Sequence, residues 1–328
     1  MRSLLVACVL LFPIIGLPQT FQIATVPEGL EVRIDGQVFT RYVTDPGTGN
    51  KPFLWPVVGP TGVEMSRAYP MAERPGEAKD HPHHRSICFG HEDIAGFNTW
   101  HERATFAGKK PAEVEKAEAK LGRIQHQAFR GVQAGPEGAS FTALSDHVRP
   151  DGSRYLREET RYAFRAAPGV RMIDVDMDLI ATDGPVKVTD IKDAGLSIRV
   201  AHSLAVDSKQ GGRIVNAEGL RDAEAWGARS AWVDYSGVVG GGKAGVALFN
   251  HPASFRHPTP WHVRTYGLFT ANPFGLRTVD RTKKAADGGF TLGKDERIKL
   301  RHRFYFHGGE LDAATLAAAF QAYASEAK

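Results

Sequence analysis

The chain has 328 residues, of which 42% are hydrophobic and 24% charged, with a formal net charge of +4. These are the proportions of an ordinary globular protein. The cations are scattered and form no basic run, which excludes a dedicated nucleic-acid binder but leaves a mild preference for anionic surfaces or acidic substrates. With only 2 cysteines, an apolar core and not a disulfide framework must hold the fold.

The N-terminus reads as an export signal. Arg2 supplies the positive end, and Leu4 to Leu17 form an apolar stretch broken by Pro13, too short to span a bilayer. The expectation is a signal peptide over residues 1–20, a single domain over 21–328, and a periplasmic or extracellular location.

Beyond it the chain reads as strands and turns. LEVRI, Asp35-Gly36 and QVFTRYV form a hairpin signature, because that dipeptide tolerates the positive φ of a tight turn. Strands are predicted at 53–58 and 62–69, followed after a charged, loop-like or short helical stretch at 108–120 by a meander from Ile124. Its segments at 138–147, 154–165 and 170–181 are separated by Pro150-Asp151-Gly152 and Pro168-Gly169. In the last of these, Asp174, Asp176 and Asp178 alternate with apolar residues and read as the wet face of a strand. Further strands are predicted near 195–204, 213–216, 244–250, 263–270 and 297–306. Leu311, Leu316, Ala319, Phe320 and Tyr323 recur at helical spacing and predict a C-terminal helix. The fold class is therefore all-β: a large antiparallel β-sandwich with a C-terminal helix.

Gly240 to Gly245 matches G-x-G-x-x-G, but a strand follows it instead of the helix a pyrophosphate needs, so it reads as a glycine-rich hairpin. The functional signal lies at Asp80 to His101, DHPHHRSICFGHEDIAGFNTWH, which holds five of the 13 histidines, three acids and an arginine. Imidazoles move protons near neutral pH or bind metals, and carboxylates beside them fix their tautomers. Ser86, Cys88 and Gly90 alternate with Ile87, Phe89 and His91, which predicts a strand with histidines at its entry and exit.

A second cluster runs from Asn250 to Gly275, with His251, His257, His262, Arg256, Arg264 and Trp261, the last a natural platform for a sugar ring. Asp190 and Lys192, Asn216 and Glu218, and Asp234 are candidates to line the same cleft. In the acid/base reading, His83, His84, His91, Asp190 and Lys192 carry catalysis. His81, Arg85, Glu92, His101, Glu218, Asp234, His257, Trp261, His262 and Arg264 bind substrate. In a metal reading, His81, His83 and His91 ligate a divalent Zn, Fe or Cu ion, backed by Asp80 or Asp93. A third reading is a non-catalytic carbohydrate-binding protein.

The runs DHPHHRSICFGHEDIAGFNTWHE, VTDIKDAGLSIRVAHSL, AWVDYSG and HPTPWHVRTYGLFTANPFG, in that order, resemble a family of exported bacterial proteins that bears the name methane oxygenase PmoA. The resemblance implies an exported protein of polysaccharide-degrading bacteria, similar in outline to galactose-mutarotase-like carbohydrate enzymes, and the name implies an oxygenase. An integral-membrane oxygenase subunit needs spans of ~20 apolar residues, and no segment past residue 20 approaches that. The sequence therefore favours a small-molecule or oligosaccharide substrate and acid/base chemistry on a sugar.

Overall fold

In the computed structural model, which describes residues 19–45, 47–282 and 284–326, Asp35 and Gly36 adopt φ of 51° and 75°. They turn strand Gly29–Ile34 back into Gln37–Val43, as the dipeptide predicts. The expected signal peptide falls almost wholly outside the described residues.

Two eight-stranded antiparallel sheets carry the fold. The first orders its strands Phe21–Val26, Gly29–Ile34, Gln37–Val43, Phe53–Val57, Ile87–His91, Ala194–Arg199, Leu268–Ala271 and Trp261–Arg264. The second runs Arg213–Asn216, Trp232–Val239, Gly242–Asn250, Arg297–Gly308, Val170–Ile180, Arg154–Ala167, Gly138–Val148 and Arg123–Gly135. The predicted meander is the ladder of the last four of these strands. The inner faces share one apolar core: Phe39 meets Phe164 and Phe306 edge-on, with ring centroids 5.9 and 6.4 Å apart. Each such buried aromatic contributes roughly 1.5–3 kcal/mol of transfer free energy.

The helix Ala313–Ala324 starts at Asp312, whose carboxylate accepts from the Thr315 N–H at 2.8 Å. Leu316, Phe320 and Tyr323 bury against Trp232 and Phe249 on the outer face of the second sheet. No helix of the described residues is long and apolar enough to cross a membrane.

Four local readings change. The strand expected near 195–204 ends at Arg199, and His202–Leu204 is a 3-10 turn. The segment 62–69 forms no continuous strand: it meets its neighbours through the isolated bridges Val58–Glu64 and Ser66–Val200 and through single backbone bonds such as that from the Met65 N–H to the Val57 carbonyl. The side chains of Glu64 and Arg67 are committed to Trp55 and to the loop that follows, which holds the segment off a continuous ladder. The strand expected over 263–270 is two, Trp261–Arg264 and Leu268–Ala271, folded back at Gly267, whose φ of 102° only glycine adopts readily. Asp174 is not wet: it is buried and accepts from Arg303 at 2.5 and 2.9 Å. The stretch 108–120 contains a short helix, Pro111–Glu118.

Candidate active site on the outer face of the first sheet

Alternation along Ile87–His91 sorts two environments. Ile87, Phe89 and His91 point into the space between the sheets, where the first two join the apolar core and the His91 ring meets Phe274. Cys88 and Gly90 face outward, beside Ser197 of the neighbouring strand. A Cβ on Gly90 would lie 3.0 Å from the Thr99 carbonyl oxygen and 3.1 Å from the Trp100 Cα. The missing side chain thus lets the 97–102 loop rest directly on the sheet. Beneath that loop, the Lys51 ammonium donates to the Trp100 carbonyl at 2.8 Å and pairs with Glu102 at 3.1 Å. Arg85 donates to both Glu102 oxygens, at 2.8 and 2.9 Å. All three side chains are buried.

On this base four histidines and two other aromatic rings form a basin. Ring centroids are 4.4 Å apart for His83–His84, 4.8 Å for His83–His101 and 4.8 Å for His81–His84. Trp100 lies 5.7 Å from His84, and Tyr266, on the turn between the last two strands of the sheet, stacks on His81 at 4.9 Å. Asp80 is clamped by Arg199 at 2.8 and 3.0 Å, by Arg67 at 2.7 Å, and by His81. Burial alone would raise the Asp80 pKa, but the His81 hydrogen bond and the two guanidiniums hold it well below the carboxylate range.

The hydrogen bonds fix most tautomers. His84 Nδ1 lies 3.2 Å from Arg199 Nη1, and a guanidinium only donates, so Nδ1 accepts and Nε2 carries the hydrogen. Asn98 Oδ1 accepts from the N–H groups of Trp100 and His101, which turns its NH₂ toward His101 Nδ1 at 3.0 Å. His101 is thereby also an Nε2–H donor. His83 differs: its Nδ1 faces the Thr105 hydroxyl at 2.9 Å, and that oxygen already accepts from the Glu102 N–H. A hydroxyl can still donate or accept a second bond, so His83 can present either N–H or a lone pair at Nε2. All three rings are held neutral. Burial, then the charges of His101 and Lys51, push the His83 pKa far down; burial, then His83 and Arg199, do the same at His84. Burial and Lys51 push His101 down to about 4.

The other wall comes from the paired strands. The Glu92 N–H donates to the Asp193 carbonyl at 3.0 Å, which sets both side chains on the outward face. Glu92 Oε1 is 3.9 Å from His101 Nδ1, and Asp193 Oδ1 is 3.6 Å from His262 Nδ1. His262 stacks on Trp100 at 6.4 Å and is pushed down to about 3 by burial and by Arg264 and Lys192. Burial raises the Asp193 carboxyl, with Lys192 only partly opposing it, and burial and Asp193 raise Glu92. A carboxyl whose folded pKa is raised loses stability as pH rises from its unfolded pKa through the folded one. Asp193→Asn is therefore expected to match the wild-type melting temperature at low pH and to equal or exceed it at pH 7, as a thermal-melt pH series would show.

The basin gathers His81, His83, His84, Arg85, Glu92, His101, Lys192, His262 and Arg264, but not the rest of the sequence-predicted set. His91 is on the opposite face of the strand. Trp261 points inward with Val263, its indole N–H donating to the Ser230 carbonyl at 2.9 Å, so it is core and no sugar platform. Asp190 accepts from the Arg277, Thr278 and Gly288 N–H groups at 2.8, 3.0 and 2.6 Å and anchors that segment. Asp234 pairs with His307 at 3.1 Å within the second sheet, and Glu218 is exposed on a hairpin of that sheet. His257 bonds Asn250 at 2.9 Å and stacks on Phe320 of the C-terminal helix, while His251 packs on Tyr323.

The metal set His81, His83 and His91 is divided by the sheet. Within the basin, His84 and His101 carry hydrogen on Nε2, where a ligand needs a lone pair, whereas His81, bonded through Nδ1 to Asp80, and His83 can each offer one. Among the described residues no three His, Cys, Asp or Glu side chains form a metal-binding group. Sequence reasoning missed Asp193, Arg199, Trp100 and Tyr266. An arginine inside the apolar run LSIRV was the available signal for Arg199.

Fold and site together define a two-sheet β-sandwich with a histidine, arginine and carboxylate basin on the outer face of one sheet. The chain belongs to the family of unknown function DUF6807, which it matches over residues 29–321. No curated protein matches it in sequence. Among solved structures it is similar to a galactose mutarotase-like protein from Clostridium acetobutylicum, at 11% identity and a TM-score of 0.40, covering 88% of this chain and 98% of that one. It is also similar to the α-galactosidase from Lactobacillus brevis, at 8% identity and a TM-score of 0.37, covering 92% of this chain but only 40% of that one.

Proposed function

We propose that this is an exported carbohydrate-active protein whose basin performs acid/base chemistry of lyase, epimerase or hydrolase type on a sugar. The observation that carries the reading is the trio His83, His84 and His101, whose rings lie 4.4 and 4.8 Å apart between centroids and whose Nε2 atoms make no hydrogen bond among the described residues. His84 and His101 donate to substrate oxygens, and His83, able to offer a lone pair, takes the proton. Glu92 and Asp193, with raised carboxyl pKa values, are the acids that return one. We favour this over the hydrocarbon oxidation implied by the PmoA name because methane offers nothing to such a polar, neutral-imidazole basin.

The test is incubation with a panel of di- and oligosaccharides, followed by NMR of the products. A new product formed by the wild type and absent with His83→Gln supports the reading. Binding without turnover would replace it with a carbohydrate-binding protein, and neither binding nor turnover would end it. Export predicts that the protein recovered from the periplasm or medium starts near residues 17–24 by intact mass. A protein retaining Met1 in the cytoplasm would overturn it.

A further inference from the structure

The arginines around the basin are not equally occupied. Arg67 and Arg199 are spent on Asp80, and Arg85 is spent on Glu102. Arg264 is half-buried and turned to the same outward face as His262, yet among the described residues its guanidinium makes no hydrogen bond and no ion pair. Its contact is with the Tyr266 ring, 5.5 Å from Cζ to centroid. That ring is also covered by Arg199 at 4.7 Å and by His81, which holds the turn in place. Lys192, the other cation of this wall, is 52% exposed and lies 3.7 Å from Asp193, longer than a hydrogen bond.

We infer that the substrate is an anionic sugar, a saccharide carrying a carboxylate such as a uronic acid residue, with Arg264 forked onto that carboxylate and Lys192 as the second cation. The inference rests on the acid/base reading of the basin and names its substrate class. A planar guanidinium with its donors uncommitted matches a carboxylate bidentately. The surrounding charges point the same way. Burial is the main reason these imidazoles stay neutral, and cations add a field to it: Arg264 and Lys192 act on both His262 and Asp193, and Lys51 acts on His83 and His101. An arriving carboxylate opposes that field and stabilises imidazolium. The group that feels this most directly is His262, on which both Arg264 and Lys192 act. A neutral sugar would leave Arg264 unmatched.

The experiment is calorimetric titration of the protein with glucuronate and galacturonate, their methyl esters and glucose 6-sulfate, using wild type, Arg264→Gln and Arg264→Lys, each first checked for an unchanged melting temperature. A charge-assisted pair is worth roughly 10- to 100-fold in affinity. At least one uronate should therefore bind that much more tightly than its ester. Arg264→Gln should remove the difference while leaving ester binding within about twofold, and Arg264→Lys should restore part of it. Equal binding of acid and ester by the wild type, retention of the preference in Arg264→Gln, or tighter binding of the sulfate than of either uronate would overturn the inference. If the esters bind but charge makes no difference, the acid/base reading stands without it; if no sugar binds, both fall.

Discussion

Replacing His83 by glutamine is expected to lower turnover of whichever sugar the protein transforms by ~10²–10⁴-fold, the usual cost of losing one proton-transfer group. Glutamine keeps a polar group of similar reach against Thr105 and fills much of the space under His101, so the loss should fall on kcat with KM little changed. His84→Gln supplies the contrast. His84 is fixed as a donor by Arg199 at 3.2 Å, so its replacement should weaken substrate binding more than it slows the chemical step. Equal losses in kcat for both variants, or none for His83→Gln, would remove His83 from the proton-transfer role. Steady-state kinetics with the substrate identified by product NMR decides between them.

Replacing Glu102 by glutamine is expected to cost ~3–5 kcal/mol of stability, because it leaves the buried cations Lys51 and Arg85 without their shared anion. Burial alone would raise the Glu102 pKa, but the charge of Lys51 and the hydrogen bonds of Arg85 outweigh it and hold the carboxyl below its ordinary value of 4.5. The sign follows from that direction. The contribution is present in full above pH 4.5 and is lost as pH falls through the lower folded pKa. Urea unfolding should therefore show the largest gap between wild type and Glu102→Gln near neutral pH, narrowing in acid. A gap under about 1 kcal/mol at pH 7 would mean that water or another group serves the two cations.

Much of this architecture is written locally. Asp35-Gly36 specifies its hairpin through φ alone, and the alternation along 170–181 specifies a strand because one face meets an apolar partner sheet. The strand Ile87–His91 was legible for the same reason, and with it the place of the basin. The failures have a common cause. Trp261 and His262 are neighbours in sequence but lie on opposite faces of one strand, and which face is inward depends on the other sheet, which local composition does not encode. Asp193 was passed over in favour of Asp190 three residues before it. Both belong to VTDIKD, and only the pairing of that segment with Glu92 assigns one to the basin and the other to a loop anchor. The segment 62–69 was misread because the burial of Arg67 depends on carbonyls at residues 69, 78, 80 and 81, contacts with no periodic signature.

The ion triad beneath the 97–102 loop has a consequence for thiol chemistry. Beyond the first twenty residues Cys88 is the only cysteine. It is buried on the outward face of its strand, where Lys51 and Glu102 act on it and Ser197 lies 3.7 Å away. Burial raises its pKa, so the nucleophilic thiolate is scarce as well as sheltered. An exported chain with one reachable thiol would be open to oxidation and to covalent pairing with other proteins in an oxidising compartment. The shelter comes from burial beside the loop that Lys51 and Glu102 anchor, since the charges themselves oppose each other at the sulfur, Lys51 favouring the thiolate and Glu102 disfavouring it.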